Sequence, residues 1–450
     1  MPFPHGFTWG VAASAYQIEG AAHADGRGLS VWDTFSHTPG KVWHDQHGDT
    51  ACDHYHRLTE DVQLIHQLGA KAYRLSISWP RILPHGKGAI NQPGLDFYSR
   101  LVDDLLANGI TPWVTLFHWD FPESLFQLGG WLNRSSAQWF ADYAAIVVDH
   151  LSDRVGHWMT LNEPQVFLKL GHADGIHAPG LKLPLADQLL ATHHALLAHG
   201  RGVQAIRAHA KRAPQVGWAP VCVVRYPRSL DGKDIHAARH ATCGISQPDL
   251  WNNAWFNDPV ILGHYPEDGL KLYGEACPKI APGDMEQICQ PLDFLGVNIY
   301  EGQPVHAGPN GEAVFSPRAI GHALTAFRWP VEPESLYWGP RFMHERYKLP
   351  IYITENGLSN VDWVSLDGKV HDPQRIDFTH RYLRALRRAS DDGVDVRGYF
   401  HWSLMDNFEW AAGYKERFGL IYVDFETGRR IPKDSALWYR DVIRANGDNL

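Results

Sequence analysis

The 450-residue chain has no apolar run that approaches a membrane span, which takes about 20 predominantly apolar residues. A membrane protein is therefore not expected. Met1 to Gly6 has neither a basic leader nor an apolar core, so no signal or transit peptide is expected and the cytoplasm is the expected location. Cysteine is sparse: the five residues are odd in number and contain no C-x-x-C pair, which suits reduced thiols and not a disulfide framework. Basic surplus is missing too. A net charge of −9 and a pI near 6.3 argue against nucleic acid or an anionic membrane as the main partner. No G-x-G-x-x-G or P-loop follows any strand pattern, which weakens a doubly wound nucleotide-binding fold. No internal repeat, low-complexity tract or Pro/Ser linker marks a second domain, so residues 1–450 are expected to form one.

Tryptophan is plentiful, at 18 residues. That suggests either a very aromatic core or platforms for flat, amphipathic ligands such as sugars. Short apolar runs recur at 7–13, 72–78, 111–117, 157–162, 216–221, 293–300, 349–355 and 396–404. Between them, stretches such as 59–68, 95–108, 136–151, 187–210 and 377–391 place apolar residues at three- and four-residue intervals, the spacing of helices. Strands alternating with helices imply parallel pairing through right-handed crossovers. Eight such units predict a single α/β (β/α)₈ TIM barrel. Its usual length is about 250 residues, so the surplus is expected in long βα loops on the C-terminal face.

Chemistry in such barrels sits where strands end. The run Ile351-Tyr352-Ile353-Thr354 ends in Glu355, with Asn356-Gly357 as a turn signal that should stop the strand there. Thr160-Leu161-Asn162 ends in Glu163, and Pro164 prevents simple continuation. Two carboxylates facing one cavity are the equipment of glycoside hydrolysis, one protonating the leaving oxygen and the other attacking or stabilising the sugar cation. Each could instead be half of a structural ion pair. Asn162 directly before Glu163, and Arg74, Asn298 and Tyr300 at other strand ends, favour the first reading, because two carboxylates with different jobs need different partners.

Thr160 to Pro164 together with Ile353 to Gly357 resembles the paired signature of the family 1 glycoside hydrolases, the β-glucosidase family. The resemblance runs from Phe7-Thr8-Trp9-Gly10 through Asn407-Phe408-Glu409-Trp410 to Ile431-Pro432-Lys433-Asp434. It implies a (β/α)₈ barrel that hydrolyses β-glycosides with retention and uses neither metal nor organic cofactor. It implies Glu163 as acid/base and Glu355 as nucleophile, assisted by Arg74, Tyr300 and Asn298. Arg74 and Tyr300 are expected to keep the Glu355 pKa low, while the Glu355 charge raises that of Glu163. Retention requires carboxyl groups about 5 to 5.5 Å apart.

By the same resemblance Gln17, His118, Trp119, Asn162, Glu409 and Trp410 bind the non-reducing sugar, Trp402 forms its floor, Trp329 stacks the leaving-group side, and Phe418 also lines the sugar site. Phospho-glycosidases of the family carry Ser, Lys and Tyr where this chain has Trp410, Glu416 and Phe418; Glu409 and Glu416 would repel a phosphate, although Lys415 and Arg417 lie close in sequence. Gln165, His401 and Asn257 depart from the family pattern and concern the leaving-group side or the residues behind the pocket. The expected activity is that of an exo-acting β-glucosidase on cellobiose, short cello-oligosaccharides and aryl β-glucosides, with β-galactosidase or β-fucosidase side activity and a role in cellulose degradation. A 6-phospho-β-glycosidase and an inactive sugar-binding protein are the alternatives. The run containing His44, His47, Asp49, Cys52, Asp53, His54 and His56 fits no zinc spacing, so no metal is expected there. For His193, His194 and His199, on one predicted helix, a solvated or core role is expected.

Overall fold

The computed structural model describes residues 2–450. Eight parallel strands close a barrel: β1 (Thr8–Ala12), β2 (Ala72–Ser76), β3 (Thr111–Phe117), β4 (His157–Asn162), β5 (Gln215–Ala219), β6 (Phe294–Asn298), β7 (Ile351–Asn356) and β8 (Val396–Trp402). Each pairs with its sequence neighbours, and β1 closes on β8 with Thr8 opposite Gly398 and Ala12 opposite Trp402. All eight expected strands are present, and the fold is the (β/α)₈ barrel. Helices His54–Gln67, Gln92–Ala107, Ser136–Leu151, Leu185–His209 and Pro373–Asp391 lie close to the expected spans. Among the described residues, no helix is long and apolar enough to cross a membrane.

The strands alternate as a barrel requires, with one set of side chains turned to the helices and the other filling the interior. Ile351 and Ile353 are fully buried in the outer layer, whereas Tyr352 joins the interior cluster of Trp113, Met159, Phe294 and Phe400. Aromatic rings this large fit because glycines stand opposite them. A methyl added at Gly10 would meet the Phe400 ring at 2.4 Å, and one at Gly217 would meet Phe294 at 2.5 Å. Each buried aromatic contributes about 1.5–3 kcal/mol of transfer free energy, so the packed interior is a firm floor for what sits above it.

The extra length is spent on the C-terminal face and its surroundings. The segments after β5 and β6 meet in a three-stranded sheet of Val224–Pro227, Gly302–Ala307 and Ala313–Phe315. The segment after β8 forms a small antiparallel pair, Ile421–Val423 with Arg430–Pro432. The three helix histidines are core residues: His193 lies between Tyr265 and Asp284, His194 contacts the Trp131 carbonyl, and His199 contacts the Thr160 hydroxyl. Of the histidine-rich run, Cys52 is buried with its thiol 3.1 Å from the Asp406 carbonyl, and His54 is bonded to buried Asp61.

Candidate active site

Glu355 would face the wrong way if β7 were regular. A strand repeats every two residues, so Glu355 belongs by count with Ile351 and Ile353, on the side of the helices. The register breaks just before it. Ile353 pairs with Val297 and Glu355 with the very next residue, Asn298, so β7 carries one extra residue against its neighbour. Such a bulge re-aims the side chain that follows it. Strand β4 does the same: Met159 pairs with Gly217 but Asn162 with Ala219, and Asn162 turns inward to meet Arg74. The strand also runs one residue further than the turn signal suggests, to Asn356, whose side chain donates to the Ile299 carbonyl at 2.7 Å. Gly357 is required by close approach, since a methyl there would lie 1.8 Å from the Trp402 carbonyl oxygen.

Glu163 takes a left-handed backbone, φ 45° and ψ 64°, between β4 and the short helix Pro164–Leu168. Trp119 (φ 79°) and Trp410 (φ 51°) are also left-handed. For side chains of this size that conformation costs on the order of 1–3 kcal/mol each, and it persists where surrounding contacts hold it, typically at functional sites. The three share one cavity of about 410 Å³ with His118, Asn298, Tyr300, Trp329, Glu355, Trp402, Glu409 and Phe418. Eleven of the fourteen residues expected in the site therefore line one space. The other three stand behind its wall.

Those three hold the wall in place. Arg74 Nη1 donates to Glu355 Oε1 at 2.6 Å and to the Thr354 carbonyl at 3.0 Å, while Nη2 donates to Asn162 Oδ1 at 2.5 Å. Asn162, expected to bind sugar, is itself held in place: its oxygen accepts from Arg74 and Asn298, and its amide donates to His118 Nε2 at 3.1 Å. That bond makes Nε2 the acceptor and leaves Nδ1–H as the donor of a neutral ring. Burial, and then the charge of Arg74, hold His118 well below the usual histidine range. Gln17 accepts from Ser14 and donates to the Phe408 carbonyl at 2.9 Å and Glu409 Oε2 at 3.4 Å, so it steadies Glu409.

The two carboxyl groups are equally buried and differently partnered. Glu355 accepts from Arg74 and, at 2.8 Å, from the Tyr300 hydroxyl. Glu163 accepts from the neutral Asn298 amide at 2.9 Å. Thr354 Oγ1 donates to Asn298 Oδ1 at 2.6 Å, which turns the Asn298 N–H₂ toward Glu163. Burial raises Glu163 well above the carboxylate range, and the Glu355 charge raises it further. For Glu355 the expectation of a low value is corrected. Burial moves it upward, and Arg74 and Tyr300 work against that displacement without reversing it. What separates the pair is the contact with a cation, which Glu355 has and Glu163 lacks, so a shared proton resides on Glu163. Burial also pushes the Tyr300 hydroxyl up, which keeps it a donor.

Near the closed end, Glu409 is raised to about 8, chiefly by burial and then by the charges of Glu355 and Glu416. Trp402 stacks with His118 at 5.7 Å and 19°. Toward the mouth, Trp329 is stacked with Phe327 at 4.8 Å and 6°, and Phe327 lines the cavity too. Phe327, Arg225, Trp251 and Glu301 also line the cavity; the sequence did not reveal them, because Arg225 lies in the added strand Val224–Pro227 and the others in loops, none within a motif. Of the departures from the family pattern, Gln165 fastens Val221 through both its amide groups, His401 is buried beside Trp402, and Asn257 is buried in helix Ala254–Ile261; none lines the cavity. Lys415 extends over the Trp43 ring, and Arg417 is bonded to Asp406 and the Val423 carbonyl. Both cations are thus committed elsewhere.

Residues 1–448 match the family described as glycosyl hydrolase family 1. A 1,4-beta-D-glucan glucohydrolase of Thermotoga neapolitana is 47% identical, with 99% of each chain covered. A bifunctional beta-D-glucosidase/beta-D-fucosidase of Bifidobacterium breve is 42% identical, with 98% of each covered. The solved structure of a beta-glucosidase from Thermotoga maritima in complex with glucoimidazole superimposes with a TM-score of 0.90 at 45% identity, covering 99% of both chains. With that coverage, and with both carboxylates in one cavity at the C-terminal mouth of the barrel, the chain belongs to glycosyl hydrolase family 1.

Proposed function

We propose that this protein, with residues 1–450 acting as one catalytic barrel, is a retaining exo-β-glucosidase that releases terminal non-reducing β-D-glucosyl residues. The observation that carries this reading is the unequal pair of buried carboxyl groups in one pocket, Glu355 on Arg74 and Tyr300, Glu163 on Asn298. Glu355 attacks the anomeric carbon as Glu163 gives its proton to the departing oxygen. A glycosyl–enzyme ester forms and the leaving group departs as an alcohol. Esterification removes the Glu355 charge that helped to hold the Glu163 proton, so Glu163 becomes more acidic. It then takes a proton from water, which attacks the same carbon and frees Glu355.

Gln17, His118, Trp119, Asn162, Glu409 and Trp410 bind the terminal sugar over the Trp402 floor, with Gln17 and Asn162 also orienting Glu409 and His118. Trp329 and Phe327 receive the leaving group. Cellobiose, short cello-oligosaccharides and aryl β-glucosides suit a pocket that is polar at its closed end and aromatic at its mouth. The names of the Thermotoga and Bifidobacterium relatives support this substrate class and a β-fucosidase side activity; β-galactosidase side activity belongs to the same proposal without support from those names. A cytoplasmic role on oligosaccharides derived from cellulose is part of the same proposal.

A 6-phospho-β-glycosidase is disfavoured by what surrounds the closed end. Glu409 lines the cavity, Glu416 is buried close by, and neither Lys415 nor Arg417 reaches the pocket. A panel of aryl β-glycosides, their 6-phosphates and cello-oligosaccharides, scored by kcat/KM, tests the reading. Plain β-glucosides are expected to exceed the 6-phosphates by at least about 100-fold, on the order of 3 kcal/mol of transition-state discrimination. A preference for the phosphorylated substrates would overturn it.

A further inference from the structure

The loop between β1 and helix His54–Gln67 carries a group of side chains that the sugar pocket does not use. His37, which caps helix Val31–Ser36, joins His47 and Asp49 so that one ligand atom from each lies within 4.8 Å of the others. Sequence order had hidden this grouping. His47 and Asp49 belong to the histidine-rich run, while Cys52 and His54 turn into the core, His56 pairs with Asp53, and His37 comes from outside the run.

The geometry places one proton of His37 on Nδ1. Its Nδ1 lies 2.8 Å from the Asp33 carbonyl oxygen, which can only accept, so Nδ1 is the N–H and Nε2 of the neutral ring holds a lone pair. Nε2 faces Asp49 Oδ2 at 3.2 Å. With the ring protonated this contact is an ion pair; with the ring neutral it sets two lone pairs where one bound cation can share them. His47 Nδ1 is 3.4 Å from the other oxygen, Asp49 Oδ1, a buried atom with no hydrogen-bond partner among the described residues. His23 Nε2 stands 4.0 Å from Oδ2.

These spacings suit a metal ion. Ligands about 2.0–2.2 Å from a tetrahedral zinc lie roughly 3.3–3.6 Å from each other, and the two histidines stand near that separation from Asp49, His37 from Oδ2 and His47 from Oδ1. A backbone carbonyl on the far ring nitrogen is the usual support of a metal-bound histidine, fixing its tautomer and raising its basicity. The His37 and His47 rings also stack at 4.7 Å and 20°, which limits their rotation. Their side chains are 46% and 45% exposed, so an ion can reach them from solvent. We propose that His37, His47 and Asp49 form a surface site for a divalent transition metal of the zinc class, with His23 near enough to supply a fourth ligand. Imidazole and carboxylate together favour zinc, nickel or copper over magnesium or calcium.

The site is tied to the rim of the sugar pocket. Gln46 Oε1 accepts from the Tyr414 backbone N–H, and the His47 carbonyl accepts from the Tyr414 hydroxyl, each at 2.8 Å. Tyr16, against which Gly48 packs, stacks with Trp410 at 6.1 Å and 8°. Metal bound here therefore braces the loop on which Trp410 rests.

The test is calorimetric titration of the chelator-treated full-length protein with zinc chloride in a non-coordinating buffer, for the wild type, His37→Ala and His47→Ala. One tight equivalent is expected in the wild type, weakened at least 10-fold in each variant. Zinc should raise the thermal midpoint of the wild type by more than those of the variants. Both variants are expected to match the wild type in metal-free thermal midpoint and glucosidase rate, which excludes misfolding as the cause. Equal affinity and stoichiometry in all three proteins, as when zinc goes to thiols or other histidines, would overturn the proposal. So would the lack of any binding up to millimolar zinc.

Discussion

Glu355→Gly lowers kcat for an aryl β-glucoside by at least about 10⁴-fold, and sodium azide restores part of the rate. The size follows from removing the group that forms the covalent bond, a class of change that costs on the order of 10⁴- to 10⁶-fold in kcat. Ile351 and Ile353 stay anchored in the outer layer, and Asn356 keeps its bond to the Ile299 carbonyl, so the strand that carried the carboxylate remains in place. The glycine leaves a space beside Arg74 and Tyr300 that a small anion can enter. From there azide attacks the anomeric carbon on the face Glu355 used, and the product is the α-glucosyl azide. Steady-state kinetics and proton NMR of the product read both effects. Full activity in the variant would remove Glu355 from the mechanism.

Glu163→Gln separates substrates by their leaving groups. Cellobiose, whose departing alkoxide needs a proton, should lose about 10²- to 10⁴-fold in kcat/KM, the usual worth of general acid catalysis. A dinitrophenyl β-glucoside needs no proton and should lose less than about 10-fold in kcat/KM. Its kcat should fall further, because water now attacks the ester without a base. Azide should then give the β-glucosyl azide, the opposite anomer from the Glu355 variant.

The pH dependence carries the same assignment. Glu163 is raised by burial and by Glu355, and it must begin protonated, so wild-type kcat/KM is lost as pH rises through the Glu163 pKa. Glu355 must be ionised, so activity is also lost as pH falls through its own pKa. In Glu163→Gln the alkaline limb should vanish for the dinitrophenyl substrate while the acid limb remains. An unchanged alkaline limb would assign it to another group.

The barrel was legible because its strands announce themselves: eight apolar runs, each followed by helical spacing, leave few alternatives for parallel pairing. The two carboxylates were legible for the same reason, as charges at the ends of such runs. Their orientation was not. The bulges in β4 and β7 arise from pairing with β5 and β6, and a strand's own residues do not show how its neighbour is offset. The hydrogen bonds that hold Asn162 and Gln17 were hidden for a related reason. Their amides are taken by Arg74, Asn298, His118 and the 407–409 segment, partners brought together only by closure of the barrel. Lys415 and Arg417 illustrate the limit of counting charges: adjacent in sequence to the sugar-binding loop, they spend their charge on Glu416 and Asp406. The low pKa expected for Glu355 failed because burial acts on both carboxyls at once, and the cation decides only their order.

The central claim, a covalent intermediate on Glu355, meets its most direct test in peptide mapping after inactivation by 2-deoxy-2-fluoro-β-glucosyl fluoride. The fluorine slows breakdown of the ester more than its formation, so the intermediate accumulates. One fluoroglucosyl group per chain is expected, on the peptide containing Ile351 to Gly357, with fragmentation placing it on Glu355. An unlabelled, fully active protein, or a label on the peptide containing Glu163, would contradict it.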